Sequence, residues 1–342
     1  MIPRIALAPD YEISRLIKGG WHLAGGHGEV DPATARRDMA RFVEAGITTF
    51  DCADIYTGVE QLIGAFRRES PALAARLRIH TKFVPDLDRL GDADARYVES
   101  VIDRSLARLG VERLDLVQFH WWDYAVPRYV EVALELERLR AKGKIDRIGV
   151  TNFDVPRLAE IVAAGVPVFS HQLQYSLLDE RPAGAMTAFC AAHRIALLGY
   201  GTVAGGFLSE RWLGAAEPVA PLANRSLTKY RLILEDFGDW ATFQALLAVL
   251  ARIGARHGCD IATVATLAVL GRAGVAAAIV GATNDAHLAA HVRLGEVVLD
   301  AGDLAAIAAA TAARHGPLGA VYELERDRDG RHGRIMKYNL NT

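Results

Sequence analysis

Eight short apolar runs alternate with longer segments of helical periodicity along this chain of 342 residues. The runs predicted to be strands are Leu16–Lys18, Ile47–Asp51, Arg78–Lys82, Leu114–His120, Ile145–Val150, Val168–Leu173, Ile195–Gly199 and Ala277–Gly281. Helical periodicity lies between them, over residues 32–45, 59–68, 93–109, 127–142, 155–164 and 183–193. Such alternation indicates parallel strands joined by crossover helices. Eight repeats predict a closed (β/α)8 TIM barrel of the α/β class, with an open doubly wound sheet as the alternative.

Two stretches interrupt this alternation. Residues 208–239 follow the seventh predicted strand and are rich in tryptophan, proline, glycine and charge, so we predict a long loop there, of the kind that often covers a site. Residues 313–342 look irregular, and we expect a solvated tail that contains Arg326, Arg328, Arg331 and Arg334. Since no low-complexity linker divides the chain, we predict a single domain over residues 1–342, with the barrel core at about 14–312.

Charge balance and cysteine usage exclude several classes of protein. Acidic and basic residues nearly cancel, to a formal net charge of −2, so there is no electrostatic reason to bind nucleic acid or an anionic membrane. Cys52, Cys190 and Cys259 have neither disulfide nor zinc-site spacing, which fits a reducing cytoplasm. No apolar run approaches the ~20 residues that span a bilayer, and the N-terminus has no secretory pattern. We expect a cytoplasmic protein without a metal, either monomeric or homo-oligomeric.

Polar side chains end several of the predicted strands. Active sites of α/β barrels lie at the carboxyl ends of the strands, so residues at those positions are the candidates for chemistry. They are Asp51, Lys82, His120, Asn152 and Gln172, and Tyr56 lies on the loop five residues beyond Asp51. Each of them alone has an ordinary structural explanation, such as a strand-end cap or a packed core histidine. Their occurrence together, at consecutive strand ends, favours one shared site.

These side chains suit hydride transfer to a carbonyl group. The carbonyl oxygen needs a proton donor, and a tyrosine with its ordinary pKa of about 10 exchanges its proton poorly near neutral pH. We expect the ammonium of Lys82 to lower the pKa of Tyr56, and the carboxylate of Asp51 to hold Lys82 in place. His120 would orient the carbonyl and share the proton. The hydride must come from a cofactor, because no side chain supplies one.

Several segments resemble, in order, those of the aldo-keto reductase family. The segment FDCADIYTGVEQLIG is similar to the family signature, in which an aspartate precedes the catalytic tyrosine by five residues. IHTKF and VQFHWWD resemble the segments that carry the family's lysine and histidine, and GVTNF, HQLQYS and GYGTVAGGFL resemble its later cofactor-binding strands. The resemblance runs from about Ser14 to about His291. It implies a (β/α)8 barrel that binds NAD(P)H in extended form and acts on a small aldehyde, ketone or aldose.

The resemblance also implies roles for individual residues. Tyr56 would be the general acid in reduction and the general base in oxidation, tuned by Lys82 and Asp51, with His120 orienting the substrate. The implied cofactor-binding residues are Gly20, Trp21, Asn152, Gln172, Tyr200, Gly201, Thr202, Val203, Gly281, Thr283, Asn284 and His287. Asn152 and Gln172 would hold the nicotinamide carboxamide, and Tyr200 would stack on the ring. We expect Trp21 and Trp121 to face the substrate.

One segment departs from the family's pattern. NADPH-preferring members carry lysine or arginine around the start of the helix after the eighth strand, where these cations pair with the 2′-phosphate. Here residues 281–291 contain neither, and Asp285 would repel a phosphate. The choice between NAD and NADP therefore stays open, and the segment is compatible with NAD alone or with both nucleotides.

Two other functions also stay open. A non-catalytic, cofactor-binding regulatory subunit is one alternative, since some relatives of the family use the same barrel in that way. A metal-dependent barrel hydrolase or isomerase is another, but it needs carboxylates and histidines at several strand ends, and only Asp51 and His120 qualify. His287 and His291 are spaced to share one helix face, yet no third ligand lies near them in the sequence.

Overall fold

Ten strands are present in the computed structural model, which describes residues 1–25 and 28–341 of the chain. They are β1 (Arg4–Ala8), β2 (Tyr11–Ser14), β3 (Leu16–Gly19), β4 (Thr49–Asp51), β5 (Arg78–Phe83), β6 (Leu114–Phe119), β7 (Ile145–Thr151), β8 (Val168–Gln174), β9 (Ala196–Tyr200) and β10 (Val275–Gly281). The strands from β3 to β10 are parallel, and β10 pairs with β3 to close a barrel. The (β/α)8 prediction is confirmed, and the open sheet is excluded.

Helices surround the barrel. They are α1 (Pro32–Glu44), α2 (Val59–Glu69), α3 (Pro71–Ala74), α4 (Ala95–Leu109), α5 (Tyr129–Ala141), α6 (Val155–Ala163), α7 (Ala185–Ala192), α8 (Arg225–Phe237), α9 (Trp240–His257), α10 (Ile261–Leu270), α11 (Leu288–Arg293), α12 (Ala301–Thr311) and α13 (Glu323–Arg326). Helix α4 shows why these segments are helical. The side chain of Asp94 caps it by accepting from the backbone N–H of Tyr97, and Gly110 ends it in the left-handed conformation. Its buried residues recur at helical spacing and pack on the barrel: Val98, Val101, Ile102 and Leu109.

The register between neighbouring strands brings the polar strand ends into one layer. Gly19 lies opposite Asp51, and Lys82 lies opposite Gln118. Side chains alternate between the two faces of a strand, so Lys82 points into the barrel while Thr81 points outwards. The layers beneath contain His80 and the apolar side chains of Ile17, Leu116, Leu198 and Ala277. The barrel is therefore a packed core with a polar layer at the carboxyl ends of its strands.

A β-hairpin that was not predicted from the sequence closes the amino-terminal end of the barrel. Strands β1 and β2 pair antiparallel, in a sheet of their own. Tyr11 and Ile13 of β2 are buried against Leu116 and Leu198 of the barrel interior. The alternating pattern of these two strands is too short to separate from an irregular terminus without knowledge of the surface that they cover.

The predicted loop over residues 208–239 is corrected by the structure, because helix α8 occupies its second half. Asn224 caps this helix by accepting from the backbone N–H of Leu227. Its apolar face packs on α9, α10 and the turn that follows β9: Leu227, Tyr230, Ile233, Leu234 and Phe237. That face is clear in the sequence only once the surrounding tryptophan, proline and glycine residues are set aside.

The carboxyl-terminal segment, residues 313–341, contains little regular structure, as predicted, but it is not a solvated tail. It crosses the carboxyl end of the barrel, where Tyr322 and Glu325 are buried. The guanidinium of Arg326 donates to the backbone oxygens of Trp121 and Asn152, at 3.0 and 2.8 Å. The expectation for Arg326 was wrong because its partners lie far away in sequence, at the ends of two barrel strands.

Candidate active site

A cavity of about 950 Å³ opens at the carboxyl ends of the strands. Asp51, Tyr56, Lys82 and His120 all line it, so the fold brings the four predicted catalytic residues to one place. The same cavity extends along the turn after β9 to the segment that follows β10, where Thr283 and His287 line it. It is within the size range of small-molecule sites, about 300–1,000 Å³.

A buried ion pair forms the base of the site. The ammonium of Lys82 donates to Asp51 Oδ2 at 2.7 Å and to the backbone oxygen of Cys52 at 2.8 Å. Burial alone acts to lower the pKa of Lys82, but the charge of Asp51 and its hydrogen bond outweigh that effect and raise it. Lys82 is therefore an ammonium at neutral pH. The pair is fixed in position, because the other carboxylate oxygen of Asp51 is held as well.

Two glutamine side chains hold that second oxygen. Asp51 Oδ1 accepts from Gln172 Nε2 at 2.6 Å and from Gln118 Nε2 at 3.1 Å. Gln172 was expected to bind a cofactor amide, and the structure shows its amide nitrogen committed to Asp51 and to Gln118 Oε1. Gln118 was not predicted as a site residue, because it precedes the end of its strand by one residue and lies within an apolar run.

Tyr56 lies directly above the ion pair. The Lys82 ammonium is 4.8 Å from the centroid of the Tyr56 ring, and the Trp21 ring lies 5.1 Å away on another side. Burial raises the pKa of Tyr56 above its usual value, and Lys82 opposes that rise without reversing it. The sequence analysis predicted that Lys82 lowers the pKa of Tyr56, but in the structure the net effect is a raised pKa. The phenol is protonated at neutral pH and stands beside a cation that stabilises the phenolate it leaves behind.

His120 is a neutral imidazole at the wall of the cavity. Burial and the charge of Arg326 lower its pKa to about 3. Its Nδ1 atom lies 3.2 Å from the backbone oxygen of Thr151, and since a carbonyl oxygen only accepts, Nδ1 carries the proton. Nε2 then has a lone pair and no hydrogen-bond partner among the described residues. A hydroxyl group of a bound molecule is the partner that this nitrogen suits.

Asn152 and Tyr200 form the next part of the wall. The Tyr200 hydroxyl donates to Asn152 Oδ1 at 2.9 Å. Asn152 has a φ of 63°, a left-handed conformation that is uncommon for residues other than glycine. Its backbone oxygen is held by Arg326. The conformation that turns Asn152 towards Tyr200 therefore depends on the carboxyl-terminal segment.

The turn after β9 follows the expected line of the cofactor. Gly201, Thr202 and Val203 line the cavity, and Gly201 has a φ of 72°. A β-carbon at Gly201 would lie 2.0 Å from the hydroxyl of Tyr230, so only glycine fits there. Thr202 Oγ1 lies 3.2 Å from Thr266 Oγ1, which ties the turn to helix α10. Gly281 and Asn284 line the same cavity.

Gly20 and Trp121 differ from their expected positions. Gly20 is not on the cavity wall. Its N–H donates to the backbone oxygen of Asp51 at 2.7 Å, and a β-carbon would collide with that oxygen. Trp121 is fully buried, donates to the backbone oxygens of Asp123 and Val126, and does not line the cavity. Its neighbour Trp122 faces the opposite way, lines the cavity and packs edge-on against His120.

A cation near residues 281–291 comes from another element. Arg41 on helix α1 forms an ion pair with Asp285. Lys18 donates to the backbone oxygen of Ala282 at 2.8 Å. The prediction considered only residues 281–291. It therefore did not include Arg41 of helix α1, which neutralises the Asp285 carboxylate that was expected to repel a phosphate.

Two kinds of feature are absent from the described residues. The described part of the chain has no cluster of three or more histidine, cysteine, aspartate or glutamate side chains arranged to hold a metal ion. Within residues 1–25 and 28–341, no helix combines the length and the apolar character that crossing a bilayer requires.

Comparisons with known proteins were made for the whole chain. A sequence profile described as "Aldo/keto reductase family" matches residues 15–312. Flagellar radial spoke protein 5 of Chlamydomonas reinhardtii is 31% identical over 251 residues, which cover 62% of this chain and 47% of that protein. The 6-dehydroglucose reductase of Agrobacterium fabrum is 28% identical over 219 residues, which cover 60% of this chain and 73% of that enzyme. The chain thus spans about half the length of the radial spoke protein.

A solved structure supports the fold independently. The glycerol dehydrogenase from Gluconobacter oxydans superimposes with a TM-score of 0.76 at 21% sequence identity. The superposition covers 93% of this chain and 97% of that one. At this level of identity the likeness demonstrates a shared barrel and no more.

Proposed function

Because the chain belongs to the aldo/keto reductase family, we propose that it is an oxidoreductase that transfers a hydride between NADH or NADPH and a carbonyl carbon. The substrate class is a small aldehyde, ketone or aldose. One observation carries the proposal: a buried, hydrogen-bonded Asp51–Lys82 pair lies beneath the Tyr56 ring, in the same cavity as His120. Such an arrangement is suited to moving a proton at a carbonyl oxygen.

The cavity fits an extended nicotinamide nucleotide. Tyr200 and Asn152 would hold the nicotinamide end, and the turn at Gly201, whose backbone only glycine can adopt, would lie along the pyrophosphate. Thr283 and His287 would reach the adenosine end. When bound, the cofactor supplies the hydride. We infer that the amide of Gln172 supports Asp51 rather than the carboxamide, because both of its contacts are to side chains of the barrel interior.

Tyr56 would act as the acid in reduction. Its raised pKa keeps the phenol protonated, so the hydroxyl donates its proton to the carbonyl oxygen as negative charge develops there. The Lys82 ammonium stabilises the resulting phenolate, and Asp51 keeps that ammonium in place. In oxidation the same phenolate takes the proton of an alcohol. His120 Nε2 would accept from a substrate hydroxyl, which suits aldoses and other hydroxycarbonyl compounds.

We propose NADH as the favoured nucleotide. Asp285 follows Asn284, which lines the cavity, and its carboxylate forms an ion pair with Arg41 next to the segment proposed to bind the ribose. Its partner Arg41 is occupied by that carboxylate, so a 2′-phosphate would have to displace the ion pair before gaining a cation. A 2′-hydroxyl needs no such displacement.

A Tyr56→Phe variant tests the catalytic proposal. We expect kcat/KM for aldehyde reduction to fall by about 100-fold or more, because the proton donor is lost. The Kd for NADH, measured by fluorescence titration, should stay within about twofold. Tyr129→Phe is the matched control, since Tyr129 is a buried tyrosine on α5 that lies outside the cavity and whose hydroxyl contacts Glu160. Full activity of Tyr56→Phe, or failure of the wild type to bind either nucleotide, would show that the proposal is wrong.

A non-catalytic role is the second candidate, and the relative named as a flagellar radial spoke protein favours it. The same titration separates the two. A wild-type protein that binds NADH tightly but turns over no aldehyde, ketone or aldose would support a cofactor-binding regulatory subunit.

A further inference from the structure

A lysine ammonium stands at the wall of the cavity, among three tyrosine rings. Lys229 Nζ lies 5.1 Å from the centroid of the Tyr200 ring, 5.4 Å from that of Tyr230 and 5.8 Å from that of Tyr322. These rings come from the end of β9, from α8 and from the carboxyl-terminal segment. The rings surround the ammonium, but they provide no counter-charge.

No carboxylate among the described residues forms an ion pair with Lys229. Asp179 and Glu325, the two carboxylates whose charges act on Lys229, are both committed to Arg181. Arg181 donates to the two Glu325 oxygens at 2.9 and 3.0 Å, and to the two Asp179 oxygens at 3.0 and 2.7 Å. Burial lowers the pKa of Lys229, with Glu325 opposing from a distance. A partly desolvated cation without a close partner is costly unless a ligand provides one.

The ammonium lies between the two ends of the site. Tyr322, one of the three rings, also packs edge-on against the His120 ring at 5.5 Å. Tyr230, another of them, places its hydroxyl against Gly201 at the turn after β9. Lys229 is therefore beside the position proposed for the reacting carbonyl, and within the same cavity as the turn proposed for the pyrophosphate.

We infer that Lys229 binds an anionic oxygen group, the carboxylate or phosphate of an acidic hydroxycarbonyl or aldehyde substrate. This inference rests on the proposed function, because it assigns a substrate class to the same cavity. The pyrophosphate of the cofactor carries the same chemistry and is the alternative source. A charge-assisted hydrogen bond in such a partly buried site is typically worth about tenfold or more in affinity.

Two measurements on Lys229→Met test the inference and identify the source. The first compares kcat/KM for succinic semialdehyde with that for butanal, which has the same number of carbon atoms but no carboxylate. We expect the wild type to prefer the acid and the variant to lose about tenfold of that ratio, with Lys229→Arg retaining part of it. The second measures Kd for ADP-ribose, which contains the pyrophosphate and needs no turnover. An unchanged Kd assigns the anion to the substrate, and a weakened Kd with an unchanged ratio assigns it to the cofactor.

The matched control is Lys142→Met, which removes the same charge from an exposed position that does not line the cavity. It should change both quantities by less than about twofold. If Lys229→Met changes neither quantity, the inference is wrong. A lower Tm with both quantities unchanged also overturns it, since Lys229 would then only balance the charge of Glu325. A wild type that binds ADP-ribose but reduces neither aldehyde contradicts the proposed function, while the ADP-ribose result still decides whether Lys229 binds an anion.

Discussion

Asp285 and Arg41 form an ion pair next to the cavity segment for which we propose ribose binding. Asp285 follows two cavity-lining residues, Thr283 and Asn284, and Arg41 reaches it from a different helix. The carboxylate therefore keeps the guanidinium occupied. Neutralising Asp285 should release Arg41 to an incoming phosphate, because an amide holds a guanidinium far less strongly than a carboxylate does.

The prediction at this position concerns nucleotide choice. Asp285→Asn should lower Kd for NADPH by about fivefold to tenfold and leave Kd for NADH within about twofold. Fluorescence titration with both nucleotides measures this. Glu44→Gln removes an exposed carboxylate from the same helix as Arg41 and serves as the control. An NADPH affinity that stays constant or weakens in Asp285→Asn would contradict the argument.

Single residues at strand ends were the most predictable part of the site. Asp51, Lys82 and His120 could be found because parallel strands end at one edge and because polar side chains there interrupt apolar runs. Trp121 and Trp122 could not be told apart, since adjacent aromatic residues beyond a strand give no indication of which one faces the cavity. The pKa of Tyr56 was also misjudged, because the size of the burial effect depends on atoms that the sequence does not place.

At the scale of elements, the carboxyl-terminal segment completes the site through a buried charge cluster. Asp179, Arg181 and Glu325 are essentially inaccessible to solvent, with side chains 0, 2 and 1% exposed. Burial acts to raise the pKa of Glu325, but the charge of Arg181 outweighs it and lowers the pKa to about 2. The pair thus stabilises the fold above the ordinary pKa of a glutamate, and this contribution is lost as pH falls towards 2.

The ion pairs of Arg181 with Asp179 and Glu325 act as a clamp on the carboxyl-terminal segment, and Glu325→Gln tests that clamp. The substitution leaves Arg181 with one buried carboxylate, so we expect a loss of about 2–3 kcal/mol in the free energy of unfolding. Hydrogen exchange should accelerate over about residues 320–335, which the clamp docks on the barrel. Glu323→Gln, on the same short helix but exposed, is the control. Unchanged exchange over this segment in Glu325→Gln would show that other contacts hold it.

Elements differed in how far the sequence reveals them. The eight barrel strands are mostly buried on both faces, so most of them are runs rich in apolar residues that can be recognised without knowledge of their neighbours. The hairpin, the second half of the predicted loop and the carboxyl-terminal segment depend on surfaces contributed by other parts of the chain. The contact between Arg181 and Glu325 joins residues 144 positions apart, a pairing that no local pattern contains.

For the whole molecule, buried neutral histidines set the response to acid. Burial is the main cause that lowers the pKa of His80, His120 and His171 to about 3, and that of His291 to about 4. In the unfolded chain these imidazoles titrate near pH 6.5. The unfolded state therefore binds more protons between about pH 3 and 6.5, and the free energy of unfolding falls as pH falls through that range.

His80→Gln isolates one of these contributions. His80 is fully buried inside the barrel, stacked near Tyr11, and does not itself line the cavity. Between pH 8 and pH 5, each such histidine should cost about 2 kcal/mol, so the variant should lose about 2 kcal/mol less than the wild type over that interval. Urea unfolding at the two pH values measures it. His193→Gln, at an exposed position, should follow the wild type, and an identical loss in His80→Gln would refute the assignment.

The hairpin formed by β1 and β2 affects how ligands can enter and leave the cavity. Tyr11 and Ile13 of the hairpin close the amino-terminal end of the barrel, and the cavity opens at the carboxyl end, where ligands would enter. Two ligands that use the same opening of the cavity would have to enter it one after the other. The ligand that binds deeper in the cavity would have to bind first and dissociate last. The barrel itself would therefore impose an order on binding and release.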